Sequence, residues 1–295
     1  MLLVTGANGN LARAVIGNLL RMTDAGNILV TTRDPESAYA SELASRGVTV
    51  RHGDFDAPET LGPAFAGATR ALLISTYADN SERLRQNLAA LEHAKAAGVQ
   101  HILYTSFLAA GPDALSEHSQ RVHWPTEQAI AASGLSYTIL RHALYAEILI
   151  GDLDDTLTTG LLRRCGGNAA CTYVARDDLG LSAATVLASD QRDNRILNET
   201  MERSYTGDEA AAAIARCFGT PVRYEAVAAE DWPAYMTEKW GLPPALAAST
   251  VGTMRAIEAG QFDLVTDDYR AVTGRSPQTL DEFLEGVRRA RPSVA

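Results

Sequence analysis

Thr5-Gly6-Ala7-Asn8-Gly9-Asn10-Leu11-Ala12 is the stretch whose reading decides the fold. It follows the short apolar run at 2–5 and opens a segment in which Leu11, Val15 and Leu19 recur at helical spacing, so it joins a strand to a helix. Its small residues meet separate demands. Gly6 allows the tight turn out of the strand, Gly9 lets backbone approach a pyrophosphate, and Ala12 lets the helix pack closely on a sheet. The start of such a helix offers unpaired N–H groups and a positive dipole end to phosphates. A glycine pattern alone is weak evidence, but this one sits between strand and helix, where a dinucleotide site needs it. Gly6, Ala7, Asn8, Gly9, Asn10 and Leu11 are therefore the first candidate cofactor contacts.

Outward from the loop, apolar β-branched runs recur at 28–32, 48–51, 71–75, 101–106 and 137–141, separated by stretches of helical period. Leu84, Leu88 and Leu91 mark one such helix, with Gly98 placed to end it. Strands that are apolar nearly throughout and alternate with helices predict a parallel sheet covered on both faces. Right-handed crossovers make it a doubly wound (Rossmann) α/β fold. Residues 1–150 form this core in our reading, with a segment near 170–200 returning to it. Residues 151–295 form a smaller, mostly helical substrate lobe. In that lobe Thr206-Gly207-Asp208-Glu209 reads as a capping box, Gly219 and Pro221 as a helix end, and 222–227 as a strand.

The end of the second strand selects the dinucleotide. An NAD site places a carboxylate about 20 residues after the loop to hold a ribose hydroxyl, whereas here Thr31-Thr32 leads into Arg33. A guanidinium suits a 2′-phosphate, donating two charge-assisted hydrogen bonds at once. Asp34 follows directly, yet the arginine favours NADP(H).

Composition excludes other classes. The formal charge is −10, against the concentrated basic surface that nucleic acid requires. No apolar run has the ~18 residues of a membrane span, and the first residues do not resemble a secretion signal. Three cysteines without CxxC spacing predict a reduced, cytoplasmic chain and no zinc site.

Further segments carry a resemblance: Val4-Thr5-Gly6-Ala7-Asn8-Gly9, Arg51-His52-Gly53-Asp54-Phe55 through Ala64-Phe65-Ala66-Gly67, and Leu72-Leu73-Ile74-Ser75. It continues through Ala96-Ala97-Gly98-Val99, Tyr104-Thr105-Ser106, Tyr137-Thr138-Ile139-Leu140-Arg141, Ala143-Leu144-Tyr145 and Val174-Ala175-Arg176-Asp177-Asp178-Leu179. Together they resemble the NmrA-like branch of the atypical short-chain dehydrogenase/reductases, on its quinone- and dye-reducing side. The resemblance implies that Asp54 and Phe55 sit beside the adenine, and that Ile74, Ser75 and Thr76 line the cofactor. It places Tyr104, Thr105 and Ser106 near the nicotinamide, and His142 to Tyr145 between nicotinamide and substrate. His142 stands where the relatives usually carry asparagine.

Most short-chain dehydrogenases pair a tyrosine with a lysine four residues on, lowering the phenol's pKa for proton transfer. This chain has two lysines, Lys95 and Lys239. The literal match Tyr235-Met236-Thr237-Glu238-Lys239 lies far beyond Ser106, so we read it as a helix-surface pair. What remains is hydride transfer to an acceptor for which protonation is undemanding, a quinone or similar planar aromatic. His123, before Trp124-Pro125-Thr126-Glu127, is the candidate proton donor, since an ordinary imidazole titrates near pH ~6.5. Tyr145 is the candidate hydrogen-bond donor to the acceptor. The expected partner is thus a small aromatic or quinone molecule, with neither nucleic acid nor membrane, and a homodimer left open. The competing reading is a redox-sensing regulator that binds NADP(H) without turnover.

Overall fold

The structure, a computed structural model, describes residues 1–291. The chain begins with β1 (Leu2–Val4), α1 (Asn10–Met22), β2 (Ile28–Thr32), α2 (Ala38–Ser45), β3 (Thr49–His52) and α3 (Leu61–Phe65). It continues through β4 (Arg70–Leu73), α4 (Asn80–Ala96), β5 (His101–Phe107), α5 (Trp124–Ala132) and β6 (Ser136–His142). After β7 (Leu144–Tyr145), α6 (Leu153–Thr159), β8 (Leu161–Cys165), β9 (Tyr173–Val174) and α7 (Arg176–Ala188) comes β10 (Arg195–Glu199). The last elements are α8 (Gly207–Phe218), β11 (Arg223–Val227), α9 (Trp232–Trp240), α10 (Pro244–Ala248), α11 (Val251–Glu258), α12 (Asp268–Thr273) and α13 (Leu280–Ala290).

Seven strands form one parallel sheet in the order β10-β6-β5-β4-β1-β2-β3. The central strands are buried along their length, which is why they are apolar rather than alternating. Leu3 sits opposite both Leu29 and Ala71, so β1 has β2 on one side and β4 on the other. Strand order reverses between β1 and β4, and the crevice opens there beyond the carboxyl ends.

The later chain returns to this layer. β10 pairs with β6, and α7 packs on α1 so closely that a Cβ at Gly180 would lie 2.5 Å from that of Ala14. The lobe beyond is mostly helical, and β11 pairs in parallel with β8. Thr206 and Glu209 form the reciprocal capping box at the start of α8, and Gly219 ends that helix at φ +67°. One hydrophobic cluster runs from Val4 and Leu72 through Val174 and Trp232 to Leu284, joining sheet and lobe; a second lies on the opposite face.

One local expectation needs correction. The spacing of Leu84, Leu88 and Leu91 predicts a stripe turned to the core, yet Leu84 and Leu88 are only half-buried while Arg83, Gln86 and Asn87 are buried. The amino-terminal half of α4 faces the crevice, where these polar groups find partners, and only its second half covers the sheet. Around Pro125 the helix is continuous but passes through a π-turn over Ser119–His123. Proline lacks the N–H that an α-helix would use and crowds the carbonyl four residues back; a widened turn accommodates both.

Candidate functional site

The glycine loop is a built structure. Gly6 has φ +69°, a conformation glycine reaches without strain. The Gly9 N–H donates to the Gly6 carbonyl (2.9 Å), and a Cβ at Gly9 would lie 3.3 Å from that oxygen. The Ala7 N–H donates to Thr31 O (2.8 Å), and Ala7 is fully buried. Ala7 therefore shapes the loop without facing the crevice, a correction to its expected contact role. No side chain caps α1, so the N–H groups of its first turn, on Asn10, Leu11 and Ala12, remain available to an anion.

Two adjoining cavities meet at Gly6, Gly9 and Ile74–Thr76. The outer one, of about 450 Å³, lies beyond β1–β3 and is lined by Asn8, Arg33, Asp54 and Phe55. The Asn8 amide donates to Thr32 Oγ1 (3.1 Å) and Ser37 Oγ (3.3 Å), tying the loop to the end of β2. Arg33 and Asp34 stand exposed at its rim. The inner cavity, of about 680 Å³, lies beyond β4–β6, where Asn10, Leu11, Thr105, Ser106, His142 and Tyr145 line it. Its far wall is apolar: Phe107, Leu144, Ile148, Met236, Trp240 and Leu242. Gly151 permits the Trp240 ring to pack against the turn after β7, since a Cβ there would lie 3.2 Å from the ring.

Several side chains in the inner cavity are already committed. Thr105 Oγ1 accepts from the Ser75 N–H (2.9 Å). Ser106 donates to Glu127 (2.5 Å), which in turn is gripped by Arg141 through two hydrogen bonds. Tyr104 faces the opposite side of the sheet; it is fully buried and its hydroxyl meets Asn87 (3.0 Å) and His123 (2.9 Å). It lines neither cavity, which corrects its expected approach to the nicotinamide. Alternation along β5 sends Thr105 to the crevice and its neighbour Tyr104 away.

His123 does line the inner cavity, but not as an acid poised near neutrality. Burial, with the Arg83 guanidinium next, holds its imidazole well below the ordinary value, so it is neutral at pH 7. Arg83 Nη2 lies 3.2 Å from Nε2 and can only donate, so Nε2 accepts and the ring proton sits on Nδ1, against Tyr104. His142 is also neutral, its pKa lowered to about 3 by burial. Its Nδ1 meets the Tyr145 hydroxyl (3.1 Å) and its Nε2 faces Glu199 Oε2 at 3.4 Å. Burial raises Glu199 to about 8, so this carboxyl keeps its proton and the contact is not an ion pair. Tyr145 is likewise raised to about 12 by burial and holds its hydroxyl proton.

The literal tyrosine–lysine motif lies on α9, whose Met236 and Trp240 line the cavity. Its Tyr235 donates instead to Asp152 (2.5 Å), and Lys239 sits 3.4 Å from Asp155. Arg83 is the residue that sequence reasoning missed. It lies in the polar half of α4, and only its position shortly after the fourth strand could have marked it. Among the described residues no group of three His, Cys, Asp or Glu side chains converges to hold a metal ion.

A glycine-turned helix start at the strand-order reversal of a doubly wound parallel sheet defines a dinucleotide-binding α/β protein of the Rossmann class. The chain belongs to the NmrA-like family, which matches residues 1–284. It is 31% identical over 266 residues to quinone oxidoreductase 2 of Escherichia coli K12, covering 89% of this chain and 90% of that protein. The crystal structure of the NADPH complex of that Escherichia coli quinone oxidoreductase superposes with a TM-score of 0.89 at 28% identity, covering 98% and 100% of the two chains. The Citrobacter sp. triphenylmethane reductase complexed with NADP(H) gives 0.87 at 33% identity, covering 96% and 98%.

Proposed function

We propose that this chain is an NADPH-dependent oxidoreductase that passes hydride to a quinone or similar planar aromatic acceptor. The observation that carries the reading is the pairing of the two cavities. A phosphate-ready loop separates a rim bearing Arg33 from an apolar slot faced by a protonated phenol. In this reading the first turn of α1 holds the pyrophosphate, Asp54 and Phe55 flank the adenine, and Arg33 takes the 2′-phosphate. Ile74, Ser75 and Thr76 line the cofactor between the halves. Thr105, Ser106 and His142 border the nicotinamide. When bound, the cofactor supplies the hydride; the protein supplies orientation and a dry slot.

The reaction balances as quinone plus NADPH plus a proton, giving hydroquinone and NADP⁺. Tyr145 offers its hydroxyl proton to the reduced acceptor, with His142 behind it. His123 holds Arg83 instead of donating. The reaction in this reading runs without a tyrosine–lysine pair, because Tyr235 and Lys239 are engaged with Asp152 and Asp155. Both relatives' names support the acceptor class.

The test is loss of NADPH absorbance on adding 1,4-benzoquinone to the purified protein. Acceleration well above the uncatalysed rate is expected. Tight NADPH binding with no acceleration by any of a panel of quinones would assign the chain to the regulatory class instead.

A further inference from the structure

Arg83 is a buried cation with no counter-ion among the described residues. It is 9% exposed, and no carboxylate lies within ion-pair distance of it among the described residues. Its partners are neutral: His118 Nδ1 (3.2 Å), His123 Nε2 (3.2 Å) and Ser75 Oγ (3.2 Å). Its Nε is buried and finds no hydrogen-bond partner among the described residues. Isolated buried charges are costly, and proteins ordinarily pair them.

The surroundings sharpen the point. The other charged groups lining the inner cavity, Arg176 and Glu147, lie 3.8 Å apart and offset one another. Beneath the floor, Glu127 is held by Arg141. The cavity that would receive the acceptor thus carries one unbalanced positive charge, and Arg83 is its source.

We propose that Arg83 is the anion-recognising residue of this cavity, so that the chain takes acceptors that carry negative charge or gain it on receiving hydride. The inference rests on the proposed oxidoreductase reading and narrows its substrate class. A neutral quinone that accepts hydride becomes a hydroquinone anion, whose oxygen the guanidinium stabilises until a proton arrives. An acceptor that is already a cation, such as a triarylmethane dye, enters against the same charge and becomes neutral, leaving Arg83 nothing to stabilise. The fold is shared with a dye reductase, but the charge in this pocket favours the quinone side.

Equilibrium binding separates this from the question of turnover. Three probes of one shape are titrated by calorimetry in saturating NADP⁺, which keeps them out of the phosphate sites: 2-naphthalenesulfonate, its neutral sulfonamide, and a naphthyl trimethylammonium. Wild-type protein should bind the sulfonate roughly tenfold or more tighter than the sulfonamide, with the cation weakest. Arg83→Gln should bring sulfonate and sulfonamide within about twofold of each other, while Arg83→Lys, which keeps the charge, should retain the preference. The oxidised nicotinamide's own charge is common to all three proteins, so the change in ratio reports Arg83.

A wild-type protein indifferent to probe charge, or preferring the cation, overturns the proposal. So does an anion preference that survives in Arg83→Gln. Should Arg83→Gln fail to fold, Arg83→Met, which removes the charge and keeps most of the side chain's length, takes its place with the same expected loss of preference. If no quinone is reduced but the sulfonate preference holds and depends on Arg83, the enzymatic reading falls and the anion site stands.

Discussion

Arg33→Ala separates the two pyridine nucleotides. Arg33 stands exposed just beyond β2, where the Asn8 amide and the Asp34 N–H both donate to Thr32 Oγ1 at 3.1 Å. The turn is held by Thr32, so removing the guanidinium leaves the backbone in place. A bidentate guanidinium–phosphate contact contributes about 1.5–3 kcal/mol. Exposure to water puts Arg33 at the lower end, which is on the order of a tenfold to thirtyfold loss of NADPH affinity. NADH has no phosphate at that place, and its dissociation constant should stay within about twofold. The assay is fluorescence titration of both reduced nucleotides into wild type and variant, at low and high salt. Salt should weaken NADPH binding to the wild type and narrow its lead over the variant. Equal losses for both nucleotides, or an unchanged NADPH constant, would refute the assignment.

Four histidines, His101, His123 and His142 buried and His118 half-buried, make acid stability a second test. His101 and His118 are lowered to about 4 and His142 to about 3 by burial, and His123 lies well below its ordinary value. Each is neutral when folded but takes a proton near pH ~6.5 when unfolded, so stability present above that pH is lost as pH falls. The slope approaches about 1.4 kcal/mol per pH unit for each histidine, and urea unfolding at pH 7 and pH 5 measures it. A flat profile there would contradict the buried neutral rings. Glu199 works in the other direction: raised to about 8, it contributes stability below about pH 4.5 that disappears as pH rises through 8. The Tm of Glu199→Gln should therefore gain on wild type between pH 5 and 9, and a pH-independent difference would mean that the carboxyl is already ionised. Gly180→Val should cost about 1–3 kcal/mol or more and raise the KM for NADPH, because the new side chain meets Ala14 on α1. Gly17→Ala on the same helix, with open space around it, should be neutral or slightly stabilising in a thermal melt.

The sheet was legible because its strands are short, apolar and bounded by helix-period segments; each predicted run from 2–5 to 137–141 overlaps a strand. The capping box at Thr206 was legible because the signal is local. The loop's chemistry was readable, but not that Ala7 would spend its N–H on Thr31. Tyr104 and Thr105 are neighbours on one strand, and no local signal told which faced the crevice. The neutrality of His123 escaped because it depends on burial and on Arg83, forty residues away in sequence. Side chains whose ionisation is set by tertiary neighbours cannot be read from their own segment.

The shared interior has a consequence for modularity. Leu280, Phe283 and Leu284 near the carboxyl end lie in the same cluster as Val4 and Leu72 of the sheet. A graft that exchanged only the last hundred or so residues with a relative would cut through packed side chains instead of a linker. Altering acceptor preference is then a matter of single positions on the slot's wall, and a protease that nicks the lobe should release no half that stays folded.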